Sequence, residues 1–360
     1  MLEIDLSKGE EQLLRIIINF SILLKKSITV KNIFSNNEPS GLNKSTLFFL
    51  QKLVDMKIVK ISGLGIGSSL LLIEPLNDLP KKILFDLESS TSSTIVVDSL
   101  LLPLLFARKK INLVVKGNTH GDNHPSALYY KEVFFKYLFG YLENYDFRIP
   151  KVGLYSEIGE IEIFVEGKNF LENKIPKLII NKPKELVAIK GYITNNDENY
   201  LLSVERILNI FFSSKKTPFR LNTILSKSDS SALVLIAYFG DEEGYDNSKP
   251  FLIGNDLLSK KTLKEKDLIV FLTKFKKDLE NPSLDNYAEY LLLPLLAFVG
   301  GKIPLKKLTN KINSIVDLLE KILDIQFIYE EGYLKTKGYL EQNPSFFKLS
   351  DDDLIDIDDL

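Results

Sequence analysis

Cysteine is absent from this 360-residue chain, and histidine occurs only twice, as His120 and His124. The first absence excludes disulfides, thiolate nucleophiles and zinc sites built on sulfur. The second leaves little for a histidine-rich metal centre. Charge of one sign is also missing: 46 Lys and Arg stand against 48 Asp and Glu, a formal net charge of −2. So balanced a chain has no global positive field to draw in nucleic acid, although local basic surface stays open. Long apolar runs are lacking as well. "DSLLLPLLFA" and "LLLPLLAFVG" both fall short of the roughly 18–20 residues that span a bilayer. The opening "MLEIDLSKGE" has no basic region followed by an apolar one. These absences predict a soluble chain, cytoplasmic or otherwise intracellular, with no membrane partner.

What is present describes an ordinary globular protein, with 45% hydrophobic, 26% charged and 11% aromatic residues. The length suffices for a large core and more than one domain. Short extended runs alternate with longer helical ones. "LEIDL" reads as a strand, "GEEQLLRIIINFSILLK" as a helix, "SITVKNI" as a strand and "KSTLFFLQKLVDM" as a helix. "KIVKISG" and "SLLLIEPL" follow as a strand pair around "LGIG". The order recurs in "STIVVDSLLLPLLFA" (helix), "INLVVKG" (strand), "SALYYKEVFFKYLFGYLENY" (helix) and the hairpin "FRIPKVGLY"/"GEIEIFVEGK". A third unit is split. "PKELVAIKGYI" begins it, and "NYAEYLLLPLLAFVG", "KKLTNKINSIVDLLEKIL", "IQFIYEEG" and "YLKTKGYL" complete it. Strands on one side and paired helices on the other predict an α+β fold of three units. Between the halves lie the helix "SVERILNIFF", the strand "SSALVLIAYFG" and the amphipathic helix "KTLKEKDLIVFLTKFKKDLE". The expected division is residues 1–184 and 279–345 for the three-unit domain, 185–278 for an inserted small domain and 346–360 for an acidic tail.

Several other motifs have two readings. "GLGIGS" (63–68) lacks the lysine of a phosphate-binding loop and the downstream acid of a dinucleotide site, so it reads as a hairpin turn. His120, Asp122 and His124 in "THGDNHP" are either three ligands for a divalent ion or a polar loop. "SSKKTPFR" (213–220), with Lys260, Lys261, Lys264 and Lys266, makes one side of the insert basic or forms a solvated helix face. The tail "DDDLIDIDDL" has six aspartates in ten residues, a solvated end or an acidic contact arm.

Five collinear segments resemble the RNA 3'-terminal phosphate cyclase family. "IDLSKGEEQLLR" is similar to its strand–"GEGGGQ"–helix opening, with Gly9, Glu10, Gln12, Leu14 and Arg15 on the pattern. "NIFSNNEPSGLNKST" keeps Asn32, Ile33, Gly41 and Leu42 of the next segment. "GNTHGDNHPSALYYKEVF", "KVGLYSEIGEIEI" and "NYAEYLLLPLLAFVGG" resemble three more. The resemblance implies three repeated β-α-β-α-β-β units with a small inserted α/β domain. It also implies a chemistry. Family enzymes use ATP and a divalent metal to adenylate a histidine, pass AMP to an RNA 3'-phosphate and close a 2',3'-cyclic phosphate.

On the family pattern the adenylated histidine falls at Asn286, with Glu289 in place of an aspartate and Tyr290 in place of a glutamine. An amide nitrogen, its lone pair delocalised, does not replace an imidazole as nucleophile. Tyr287 and Tyr290 carry phenols, poor nucleophiles at a pKa of about 10. "GEEQ" is two residues shorter than "GEGGGQ", and Glu11 adds charge where a triphosphate would be repelled. Phe34, Asn37 and Asn43 replace arginines, Ser45-Thr46 a Gln-His pair, and Asp98 a glutamine. The resemblance therefore implies a catalytically impaired cyclase-like protein acting in RNA processing or ribosomal RNA maturation as an RNA- or protein-binding scaffold. No cofactor is expected, unless the chain is an active ATP- and metal-dependent cyclase, the alternative. The expected RNA- or nucleotide-facing cleft holds Glu10, Arg15, Lys44, Thr119, His120, Lys151 and Glu289, with Arg15 either on phosphate or in a helix-surface pair with Glu11.

Overall fold

A computed structural model describes all residues except 1, 8, 89–90, 122–123, 156, 171–174, 184, 214–216, 241–249 and 348–360. The first group of elements is β1 (Leu2–Asp5), α1 (Glu11–Leu24), β2 (Ile28–Lys31), α2 (Lys44–Asp55), β3 (Val59–Ser62) and β4 (Leu70–Pro75). Its sheet runs β1-β2-β4-β3, with β1 and β2 parallel and the remaining pairs antiparallel. The second group is β5 (Lys82–Asp86), α3 (Thr94–Leu105), β6 (Lys110–Gly117), a broken helix, β7 (Leu142–Lys151) and β8 (Gly159–Gly167). The broken helix joins α4 (Ala127–Tyr129) and α5 (Phe135–Tyr137) through a π turn at Tyr130–Phe134. Its sheet runs β5-β6-β8-β7, again with only the first pair parallel.

The third group opens with β9 (Leu178–Ile179) and is then interrupted by β10 (Glu185–Asn195), α6 (Glu198–Phe212), β11 (Phe219–Leu225), β12 (Ser231–Gly240), β13 (Phe251–Ser259) and α7 (Glu265–Glu280). It resumes with α8 (Ala288–Leu291), α9 (Leu293–Val299), β14 (Gly301–Pro304), α10 (Asn310–Leu323), β15 (Phe327–Glu330), β16 (Tyr333–Thr336) and α11 (Tyr339–Gln342). Its sheet runs β15-β16-β14-β9, where β9 and β14 are parallel and the other pairs antiparallel. The interrupting strands form a fourth sheet, β11-β10-β12-β13.

Local chemistry accounts for the helices. Asn43 and Thr309 cap α2 and α10 by accepting from the N–H groups of Thr46 and Ile312 at 2.8 and 3.2 Å. Both α1 and α3 are buried almost all round, α3 mostly through apolar residues and α1 with Gln12, Arg15 and Asn19 enclosed as well, and they pack against each other. "NYAEYLLLPLLAFVG" forms two short helices instead of one, because Pro294 has no N–H to continue the first.

Two sequence expectations are corrected. The helix read over "SALYYKEVFFKYLFGYLENY" ends earlier, and Leu142 begins β7, where pairing such as Tyr145 with Val165 overrides the local helical spacing. "PKELVAIKGYI" does not begin the third sheet. It is β10, paired with β11 and β12, and Leu178–Ile179 takes the place beside β14.

The fourth sheet is covered on both faces, and Ser231 through Phe239 are all buried. Alternation places Ala188, Lys190 and Tyr192 of β10 on one face with Val234, Ile236 and Tyr238 of β12 and Leu252, Gly254 and Asp256 of β13. That face meets the broken helix of the second group, while α6 and α7 pack on the sheet from elsewhere in the insert. The Tyr137 hydroxyl donates to the carbonyl of Leu252 and accepts from its N–H, both at 2.9 Å. Among the described residues no helix is long and apolar enough to cross a membrane.

Candidate functional site

Arg15 lies in the second turn of α1, 7% exposed. Its Nη1 is 3.9 Å from Glu11 Oε2, one turn back, and its Nε is 3.6 Å from Asp98 Oδ2 on α3. The Nε is sealed from solvent and has no hydrogen-bond partner. Asp98 is held from the other side by the Tyr130 hydroxyl, which donates to Oδ1. Asn19 fixes the helix pair: its amide donates to the Asp98 carbonyl, and its Oδ1 accepts from the Leu102 N–H at 3.0 Å. Burial raises the Asp98 carboxyl, with the Arg15 charge pulling against it. Lys311 of α10 places its ammonium 3.6 Å above the ring of Tyr290. Burial lowers the Lys311 amine, opposed by the charge of Glu10 and reinforced by that of Arg15. His124 stands in the field of the same two cations and is pushed down to about 3, chiefly by burial, so its imidazole is neutral. A cavity of about 160 Å³ opens beside Glu10, Gln12, Asn310 and Lys311. Two cations, three carboxylates and two phenols thus gather where α1, α3, α8 and α10 converge, and their cations act on the His124 imidazole.

A second polar knot starts α8. Asp285 is buried and accepts from the Tyr129 hydroxyl at 2.6 Å, the Gly254 N–H at 2.8 Å and the N–H groups of Tyr287 and Ala288 at 2.9 Å. Asp256 accepts from the Ser126 N–H at 2.6 Å, while its Oδ1 is enclosed without a partner, and burial pushes its carboxyl up to about 7. Glu289 is likewise pushed up to about 7, first by burial and then by the Asp285 charge, against the pull of Lys306.

The sequence profile of the RNA 3'-terminal phosphate cyclase family matches residues 6–329. The chain belongs to that family. The RNA 3'-terminal phosphate cyclase of Thermococcus gammatolerans is 25% identical over 355 residues, covering 91% of this chain and 94% of that protein. That of Pyrococcus abyssi is 24% identical over 341 residues, covering 90% and 93%. The Sulfolobus acidocaldarius protein is 33% identical over 168 residues, a match that takes in 45% of this chain and about half (49%) of that protein.

In this cyclase-family chain the residues anticipated from sequence fall into three settings. Arg15 and Tyr290 come together in the cluster, and the charge of Glu10, exposed at its rim, reaches Lys311. Thr119 and His120 are buried together elsewhere. The Thr119 hydroxyl donates to the Gly153 carbonyl and accepts from its N–H, both at 3.0 Å, so His120 Nδ1 at 3.1 Å must be the donor to Thr119. That leaves His120 Nε2 deprotonated, enclosed and without a partner, and burial lowers the ring to about 4. Asp122, the middle of the proposed ligand trio, lies outside the described residues. The rest stand apart. Lys44 is exposed and pairs with Glu88 at 2.8 Å, and Lys151 is exposed at the end of β7 opposite Glu160. Glu289 accepts from the Lys306 N–H and feels the charges of Asp285, Lys306 and Asp278. Asn286 is exposed beside it. Sequence reasoning missed the partnership of Asp98 with Arg15 and the place of Lys311. The signal for the first was a lone acid inside "STIVVDSLLLPLL", since a carboxylate on so apolar a helix needs a cation or donor.

Proposed function

We propose that this family member does not perform adenylyl transfer and serves as an RNA- or protein-binding scaffold in RNA processing, ribosomal RNA maturation included. The observation that carries this reading is the histidine inventory. The chemistry implied by the resemblance begins with AMP on an imidazole, and no histidine stands after residue 124. His120 offers a nitrogen lone pair, but one enclosed by the protein, and attack on phosphorus needs open approach. We also read the three four-stranded groups as copies of one β-α-β-α-β-β unit, with 185–278 inserted after the first strand of the third. The shared strand order and single parallel pair in each sheet support that reading.

One observation favours the second reading, an active ATP-dependent cyclase: His124 is a neutral imidazole in the field of Arg15 and Lys311, a setting in which a nucleophile would meet phosphate. Labelled ATP and a divalent ion decide between the two. The scaffold reading expects no acid-labile protein–AMP adduct and no change in an RNA 3'-phosphate end. An adduct that disappears in His124→Ala, together with conversion of an RNA 3'-phosphate end to a 2',3'-cyclic phosphate, establishes the cyclase instead.

A further inference from the structure

The geometry points to Asp98 as a built-in counter-ion that takes, beside Arg15, the seat an incoming phosphate would occupy, so that this site discriminates against polyphosphates. The inference rests on the family reading only for the class of ligand, a phosphate. Arg15 is a desolvated guanidinium with five donors, and its neighbours are carboxylates at 3.6 and 3.9 Å. Neither is close enough for the short, paired bonds that a guanidinium makes to a planar anion. A free phosphate would bring such bonds, but it must come into a site already carrying negative charge. Glu10, Glu11 and Asp98 oppose Arg15 and Lys311, so the formal charges of the local side chains sum to −1.

Asp98 is not a group that swings aside. Its backbone sits in α3 with its carbonyl bonded to Asn19, and Tyr130 holds the oxygen that does not face Arg15. Glu11 is different: its side chain is a third exposed and bonded to the Asn43 amide at the rim. Asp98 is therefore the fixed part of the barrier and Glu11 the adjustable part. Replacing Asp98 by asparagine keeps an acceptor for Tyr130, removes one negative charge and brings the local sum to zero. Adding Glu11→Gln makes it +1.

The test is pyrophosphate binding by titration calorimetry, at low salt and with chelator present so that no metal bridges the carboxylates. Asp98→Asn is expected to bind at least about tenfold more tightly than the parent chain, and Asp98→Asn/Glu11→Gln about tenfold more tightly again. Arg15→Met in the double variant abolishes the gain. Asp98→Gln serves as a second neutral replacement should Asp98→Asn fold poorly, with thermal melts run on each. A flat series among folded variants, or a parent chain that already binds as tightly as Asp98→Asn, overturns the proposal. The series reads binding and not adduct formation, so its failure is separate from that of the scaffold reading.

Discussion

At the scale of single residues, enclosed titratable groups pull stability in opposite directions as pH changes. Asp256 and Glu289 titrate near 7 in the folded chain but near the ordinary carboxylate range when unfolded. Between about pH 4 and 7 the unfolded chain releases those protons and the folded chain keeps them, so their contribution is lost as pH rises through 7. His120 and His124, lowered to about 4 and about 3, act the other way. Below about pH 6.5 the unfolded chain gains protons that the folded chain refuses, so stability falls as pH drops toward 4. The two pairs offset each other across the same window. Asp98 and Asp285, also raised by burial, are common to both chains, so the stability of Asp256→Asn/Glu289→Gln relative to the parent is expected to rise with pH from about 4 to 6.5, by a few kcal/mol. Urea melts at matched pH values measure the difference, and superimposable profiles would refute it. The site was legible in part for a related reason. Arg15 announces itself by position after a turn and before an apolar helix, whereas its partners Asp98 and Lys311 are 83 and 296 residues away. Their meeting depends on how α1, α3 and α10 pack, which no local spacing encodes.

At the scale of elements, α8 shows what the apolar run "YLLLPLLAFVG" owes to the polar residues before it. Asp285 accepts four hydrogen bonds, two from the first turn of the helix and two from other elements, Tyr129 and Gly254. Asp285→Ala strands the Tyr129 hydroxyl and Gly254 N–H in the interior and is expected to cost about 3 kcal/mol or more. Asparagine, which retains an acceptor oxygen, should recover part of that loss. Equal midpoints for Asp285→Ala and the parent in chemical denaturation would show that the knot contributes nothing. Helices were the readable part of the fold, because α1, α2, α6, α7 and α10 carry apolar residues at helical intervals and the caps of α2 and α10 stand in the sequence. Strands were readable when long and apolar, as with β12, or paired to a near neighbour, as with β3 and β4. The strands β5, β11 and β13 escaped; β5 and β11 gain their partners from a strand beyond a helix, and β13 pairs with β12. The assignment of β10 to the wrong sheet has the same origin: a two-residue strand at Leu178–Ile179 is too short to show a period.

At the scale of the whole molecule, the fourth sheet behaves as a layer of the protein and not as an appendage. One face supplies Gly254, Leu252 and Asp256 to the broken helix of the second group, and Tyr192 bonds to Glu132 of that helix. Gly254 is the point of closest approach. A Cβ there would lie 2.6 Å from Tyr129 Cε2, 2.7 Å from its Cδ2 and 2.9 Å from Val133 Cγ2. Tyr129 has no room to yield, being fully buried and tied to Asp285. Gly254→Val is therefore expected to push the layers apart and cost about 2 kcal/mol or more, by overpacking. The pairing of β13 with β12 lies within the sheet and survives the change. Gly65→Ala is the control, since a Cβ there meets nothing within 4 Å. Limited proteolysis separates docking from folding: Gly254→Val should open cleavage sites at the junctions near residues 185 and 280 while the fragment between them stays resistant. Junctions as protected as in Gly65→Ala, with an unchanged melting temperature, would mean that the sheet is not held by this contact.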